Sequence, residues 1–442
     1  MRPLPATLPA TLTELQQAIG RGELTAHQAW QMQLDRRDAL DARWHCLSSS
    51  TLGPQAKAGD VGPLAGVGLA HKDNFDTWDR RPGCGVDAGS AQPGLAPAWA
   101  IDRLSQAGAG HLGALVMAEY ACGATSANPN FARCINPLHP DAVVGGSSSG
   151  SAVAVAGGLA YGALGTDTAG SVRIPAATCG LVGLKTTHGL IPTAGLLALA
   201  PSLDSIGILA RTAADARQIL LPLLTQDAGR PAATPRVRVW LPREGLHPEV
   251  AQALMQLAQS LQAQPLELER EHLQLSQRAD IVLHSEVAQQ QRSALLEDRL
   301  SASVLPLALP GLVMPPQWCD AARATRGAQL RRFCHSVLSE EGSVLLLPAL
   351  PKPVPDWQAV HVGQSAFAAR ELLALHRYMG FINYLGLPSL VLPIGRDSRG
   401  LPISVQCVGR PFQELGLLSL AEQLQHERGG AGFVPGLPAT EN

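Results

Sequence analysis

Lysine is nearly absent from this chain. Of 34 basic residues among 442, only Lys57, Lys72, Lys185 and Lys352 are lysines. Where arginine is so strongly preferred, a lysine inside an apolar segment suggests a task that arginine does not perform. Burial lowers the pKa of a lysine, whereas a guanidinium stays protonated, so the chemical candidate is a neutral amine base. Paired cysteines are also missing: Cys46, Cys84, Cys122, Cys134, Cys179, Cys319, Cys334 and Cys407 include no CxxC spacing. That argues against a zinc site or other metal and for reduced thiols in a cytoplasmic protein. No apolar run reaches membrane-spanning length, and the opening MRPLPATLPATLTEL lacks the uninterrupted apolar core of a secretory signal. Charged residues are sparse, 16% against 46% hydrophobic, which excludes a disordered chain and supplies ample material for a core. The formal net charge of -2 gives no reason to expect nucleic acid or an anionic membrane as partner.

What the chain does have is a dense stretch of glycine, serine and small apolar residues from Val144 to Gly189. It holds two hydroxyl clusters, Gly145-Gly146-Ser147-Ser148-Ser149-Gly150 and Asp167-Thr168-Ala169-Gly170-Ser171, separated by GSAVAVAGGLAY. The spacer reads as a helix of small residues that pack closely, followed by a short strand at 163–165. Serines in glycine-rich turns at the ends of apolar segments are presented close to a substrate, because glycine permits positive φ and close backbone approach. Ser171 is placed to open a helix, so its hydroxyl lies beside backbone N–H groups without intrahelical partners, an arrangement suited to an oxyanion.

Two motifs are rejected by context. GAGHLGALVMAEY matches GxGxxG at Gly108, Gly110 and Gly113, but a dinucleotide site needs strand, glycines, helix. Here the order is helix at 98–107, glycines, strand, an ordinary turn. The run around Ser148 matches GxSxG, the nucleophile elbow of an α/β-hydrolase. The preceding LHPDAVV is loop-like where that fold requires a strand, and His284, His335, His361 and His376 are unranked candidates for its histidine.

Along the rest of the chain, 11–42 reads as two helices, the second opened by a Thr25–Gln28 capping box. PLAGVGLAHK, 63–72, reads as a buried strand delivering Lys72 to its end, and 121–143 as a loop lining a cleft. A helix with a T-x-x-D cap follows Thr212, RVRVWL at 236–241 is a strand, and helices occupy 247–300. The apolar, proline-interrupted 303–318 reads as a loop, either covering the core or forming a substrate wall. A helix at 365–385, strands at 389–394 and 402–408 and a helix at 414–426 close the chain. The fold class is α/β, as one large α/β/α domain with a mixed central sheet covered by helices on both faces.

These residues resemble the amidase signature family of serine hydrolases. The match rests on GGSSSGSAVAVAGGLAYGALGTDTAGSVRIPAATCGLVGLKTTHG, on Lys72 in GVGLAHKDNFDT, on QAGAGHLGALVMAEY, on SLDSIGILART, and on GLPSLVLPIG and GLPISVQCVGRPF. It covers most of 1–442: a helical layer at about 10–45, the signature core at about 63–212 and a variable substrate side at about 215–340. The resemblance implies a Ser-cisSer-Lys triad of Ser171 as nucleophile, Ser147 as bridging relay and Lys72 as base. It further implies oxyanion donors from the backbone N–H groups of Thr168, Ala169, Gly170 and Ser171, and a bracing pair of Asp167 and Arg173. Two positions depart from the family pattern, Ala169 and Ser149, where the family has glycine.

The expected activity is therefore hydrolysis of a linear, non-peptide C–N bond, an amide or a carbamate (as in a urethanase) or an ester, through a Ser171 acyl-enzyme. The expected partner is a small-molecule amide or carbamate, with no nucleic acid, no membrane and no cofactor, and a homodimer left open. The alternative is the amide-cleaving subunit of a tRNA-dependent amidotransferase. Against it, such subunits usually carry glutamine where this chain has Ile174. A non-catalytic binding protein on the same fold is a third reading, opposed by the intact Lys72, Ser147 and Ser171.

Overall fold

Two reciprocal capping boxes start the chain's order. Thr11 and Glu14 close the N-terminus of the helix Leu12–Gly20, and Thr25 and Gln28 that of Ala26–Trp44, each satisfying N–H groups that the first turn leaves open. The computed structural model describes residues 8–52, 57–87, 89–92, 94–226, 228 and 235–427.

Among the described residues thirteen strands follow in chain order: β1 (Leu47–Ser49), β2 (Gly68–Lys72), β3 (Arg80–Arg81), β4 (Ser90–Ala91), β5 (Gly110–Leu115), β6 (Gly162–Asp167), β7 (Val182–Lys185), β8 (Ser205–Ala210), β9 (Val237–Val239), β10 (Gln264–Pro265), β11 (Val344–Pro348), β12 (Ser389–Arg396) and β13 (Pro402–Val408). Eleven form one sheet in the order β1-β5-β2-β6-β8-β7-β12-β13-β11-β9-β10, and β3 pairs only with β4. The sheet is mixed. β2 runs parallel to β5 and β6, while β6, β8, β7, β12 and β13 pair antiparallel in succession.

The two-residue period of a strand sends neighbours to opposite faces, and this sheet is buried on both. Leu69, Ile206, Ile208, Leu390 and Leu392 enter one hydrophobic cluster together with residues of the helices Trp99–Gln106, Ala213–Leu220 and Glu414–Glu427. Ala70, Leu209 and Val391, their neighbours in sequence, enter another with Ser149–Ala156 and Arg173–Thr178. Leu345 and Leu347 of β11 face a third cluster, built on Glu269–Gln290 and Pro316–Ser336. The architecture is a single α/β domain with helices on both faces of the sheet. All eight cysteines are free and buried. Among the described residues no helix is long and apolar enough to cross a membrane.

Several local readings need correction. The stretch 303–318 is not a loop: Leu305–Val313 is a helix with Pro310 inside it, and Pro316 opens the long helix to Ser336. Proline in the first turn sacrifices no bond, and packing decides the interior case. His284 Nδ1 donates to Leu307 O at 2.8 Å, and Ala308 is fully buried. Leu309, Leu312, Val313 and Trp318 stay exposed. The single helix expected at 365–385 is two, Ala369–His376 and Gly380–Leu385, joined through a bend at 377–379. Strands β7, β8 and β11 went unread; like β2, β6 and β13, which were read, they are buried throughout, so no alternation marks them.

Candidate active site

β2 lies between β5 and β6 and is buried over its whole length, so Lys72 at its C-terminal end is carried into the interior. The side chain is 1% exposed. Its Nζ lies 2.7 Å from Ser147 Oγ and 2.9 Å from Thr166 Oγ1 of β6. Asn74, two residues on, donates to the same Thr166 hydroxyl at 3.1 Å, which holds that oxygen in place under the amine. Burial pulls the lysine down to about 7, against the raising charges of Asp204 and Asp167. An amine poised there spends much of its time neutral at physiological pH and is able to accept a proton.

Ser147 follows a cis peptide bond from Gly146, and a Cβ on Gly146 would fall 2.4 Å from Thr125 O, so only glycine fits there. The Ser147 carbonyl accepts from Ala118 N–H at 3.1 Å. The next residue ties the two hydroxyl clusters together, Ser148 N–H donating to Ser171 O at 3.2 Å. Behind them the helix Ser149–Ala156 is wholly buried, which its Ser, Gly, Ala and Val composition makes possible.

Ser171, 5% exposed, sits on the turn between β6 and the helix Arg173–Thr178. Asp167 organises that turn. Its carboxylate takes Nε and Nη2 of Arg173 at 3.0 and 2.9 Å, with both side chains fully buried. It also accepts the backbone N–H groups of Gly170, Val172 and Arg173 at 2.9, 3.1 and 3.3 Å. Burial raises Asp167, but the charge and hydrogen bonds of Arg173, with Lys185 and Asn383, outweigh it and hold the group well below the usual carboxylate range. Arg173 reaches on to Gln406 Oε1 at 2.6 Å and Asn383 Oδ1 at 2.5 Å. The guanidinium is thereby satisfied in a dry site, as a buried charge must be.

This geometry corrects the expected set of four oxyanion donors. The Gly170 N–H already bonds Asp167. Among the described residues, the N–H groups of Thr168, Ala169 and Ser171 meet no protein acceptor. Gly170 has φ +107°, a value open to glycine and strained for other residues. Ala169 is not among the residues with positive φ, so a Cβ is tolerated there. Ser149 Oγ finds Val116 O at 3.4 Å, so its hydroxyl has room.

Ser148 is fully buried, its Oγ turned to Thr166 O at 3.4 Å. None of the four histidines bonds it: His284 serves Leu307, His361 contacts Val362 O, His335 is exposed, and His376 lies against Ala169 O at 3.1 Å. Sequence reasoning missed Thr166, Asn74, Asn383, Gln406 and Asp204. Asp204 accepts Thr168 Oγ1 at 2.6 Å and the N–H groups of Leu199 and Ala200; burial raises it to about 6. Thr166 and Asn74 carried a readable signal, since each lies within two residues of an element end already singled out. Asn383 and Gln406 lie more than 200 residues from Arg173 and carried none.

The family model described as Amidase matches residues 40–418. A glutamyl-tRNA(Gln) amidotransferase subunit of Chromohalobacter salexigens is 31% identical over 472 residues, covering 94% of this chain and 96% of that protein. The same subunit of Moorella thermoacetica is 31% identical over 465 residues, 93% and 95% of the two chains. A solved amidase superposes with TM-score 0.81 at 28% identity over 94% of this chain and 99% of that one. These relatives overturn the expectation of a small-molecule partner with no nucleic acid. Proteins alike over nearly their full length are subunits named for a tRNA, so a near-neutral net charge was no ground for excluding such a partner. With the match to residues 40–418 and the likeness along nearly the whole length, the chain belongs to the amidase signature family, whose enzymes hydrolyse C–N bonds.

Proposed function

We propose that the chain is the amide-cleaving subunit of a tRNA-dependent amidotransferase, hydrolysing a linear carboxamide such as the glutamine side chain and passing on the ammonia. The observation that carries the chemistry is the buried Lys72 amine 2.7 Å from Ser147 Oγ. Lys72 takes a proton from Ser147 as Ser147 takes one from Ser171, whose oxygen adds to the amide carbonyl. The N–H groups of Thr168, Ala169 and Ser171 receive the oxyanion. Ser147 returns its proton to the leaving nitrogen and is reprotonated by Lys72; ammonia departs, and water releases the acid from Ser171.

The subunit reading is supported by the relatives in two organisms, alike over more than nine-tenths of both chains. Ile174 does not weigh against it. The side chain is fully buried and packs under Gly145 and Gly170, so in this chain the position supports the two serine loops and does not present a group to substrate.

The test is ammonia release from glutamine by the purified chain, with and without partner subunits and glutamyl-tRNA, beside Ser171→Ala. We expect release that partner and tRNA stimulate, and loss of about 10⁴-fold or more in the variant. Turnover of aryl amides or carbamates with no action on glutamine would remove the subunit reading and leave a C–N hydrolase. Activity surviving in Ser171→Ala would remove the nucleophile.

A further inference from the structure

The peptide unit between Ala169 and Gly170 is held at both ends. Its N–H, on Gly170, donates to Asp167 Oδ1 at 2.9 Å. Its carbonyl, on Ala169, lies 3.1 Å from His376 Nδ1. A carbonyl oxygen only accepts, so Nδ1 carries the proton. We propose that His376 is a positioning residue for the Ser171 turn, fixing the plane of the Ala169–Gly170 peptide so that the flanking N–H groups stay directed to the reacting carbonyl.

The physical need arises at Gly170. At φ +107° and without a Cβ, glycine offers little resistance to rotation of the peptide before it. A flipped peptide would exchange the places of its N–H and its carbonyl oxygen, turning the oxygen towards the Asp167 carboxylate and re-aiming the backbone that carries the flanking N–H groups. Asp167 secures one end only, and that carboxylate is already shared among Arg173 and three backbone N–H groups. His376 secures the other from a distant part of the chain, at the C-terminal end of the helix Ala369–His376. Burial lowers its pKa, against the Ala169 carbonyl and the charges of Asp280 and Asp167, while Arg173 adds to the lowering. Asp280 in turn feels both His376 and His284. The neutral Nδ1–H tautomer and the imidazolium both donate to Ala169, so the hold does not depend on which form is present.

This inference rests on Ser171 as nucleophile, and one reagent separates the two. A fluorophosphonate probe reports an inactivation rate constant and an apparent affinity without any knowledge of the substrate. Label on Ser171 in the wild type, located by mass spectrometry, tests the nucleophile. The ratios among His376 variants then test the hold. We expect His376→Leu to lower the maximal inactivation rate about tenfold or more, less than outright loss of an oxyanion donor, with the apparent affinity and melting temperature little changed. His376→Asn places an amide N–H near the Nδ1 position and restores most of the rate. His376→Gln carries the same amide one methylene too far and stays slow, which also serves should the leucine variant not fold. An unchanged rate in His376→Leu, or a loss that asparagine does not repair better than glutamine, overturns the proposal.

Discussion

Lys72 and Lys185 are alike in nearly every respect that can be tabulated. Each ends a strand, β2 and β7 respectively; each is buried, and burial lowers each to about 7. They differ in what they touch. Lys72 faces two hydroxyls, on Ser147 and Thr166. Lys185 faces two carbonyl oxygens, Thr186 O at 2.9 Å and Leu387 O at 2.8 Å. A hydroxyl both gives and takes a proton and so passes one onward, whereas a carbonyl only accepts. Lys185 is therefore a donor that closes two backbone groups, whereas the contacts of Lys72 suit the base of the proposed mechanism. A lowered pKa is common to both and distinguishes neither.

The sharpest way to break this comparison is to remove each amine in turn. Lys72→Met should lower kcat/KM by about 10⁴-fold or more, as loss of a triad member does elsewhere, with the melting temperature held or raised. Lys185→Met should do the reverse. It leaves two buried carbonyls without a donor, at about 1–3 kcal/mol each, while kcat changes little. Thermal melts and steady-state rates on both variants give the crossed pattern. A folded Lys185→Met enzyme that had lost its rate would dissolve the distinction.

The pH dependence sharpens it further. Below about 7 Lys72 is protonated and cannot accept from Ser147, so kcat/KM should fall by about one decade per pH unit on the acid side. That limb should survive in Lys185→Met. Stability treats the two lysines alike. Between about 7, their value in the folded protein, and 10.5, their ordinary value, the unfolded chain binds more protons than the folded one. Stability therefore gains with rising pH across that window, and either methionine variant should flatten the gain. A limb that vanished with Lys185 would show that the kinetics report on the wrong amine.

The same contrast marks how far the sequence reaches. Scarcity of lysine drew attention to residues inside apolar segments, and Lys72 and Lys185 satisfy that description equally. Its place at the end of the apolar strand 63–72 singled out Lys72, and the resemblance to a family supplied its role, because its partners lie 75 and 94 residues away and no spacing announces them. Capping boxes and small-residue helices were legible, since local pattern determines them. β7, β8 and β11, buried on both faces, were not. The proline-containing 303–318 was misread because its helix is held by tertiary contacts, His284 to Leu307 among them. The clamp on the Ala169–Gly170 peptide was invisible for the same reason: His376 is 207 residues from the carbonyl it holds.

The smallest expected effect lies at Ala169, where the family pattern has glycine. Ala169 is not among the residues with positive φ and packs against the third hydrophobic cluster, so glycine relieves nothing. Ala169→Gly should lose about 0.5–1 kcal/mol of stability through added freedom of the unfolded chain. It also places glycine on both sides of the 169–170 peptide, whose orientation then depends more heavily on Asp167 and His376. Alone it should change the fluorophosphonate inactivation rate by less than His376→Leu does. Together the two should lose more than the product of their separate effects, since residues acting on one shared backbone unit are not additive. Strict additivity in that double-mutant cycle would mean that alanine and histidine act on different parts of the loop.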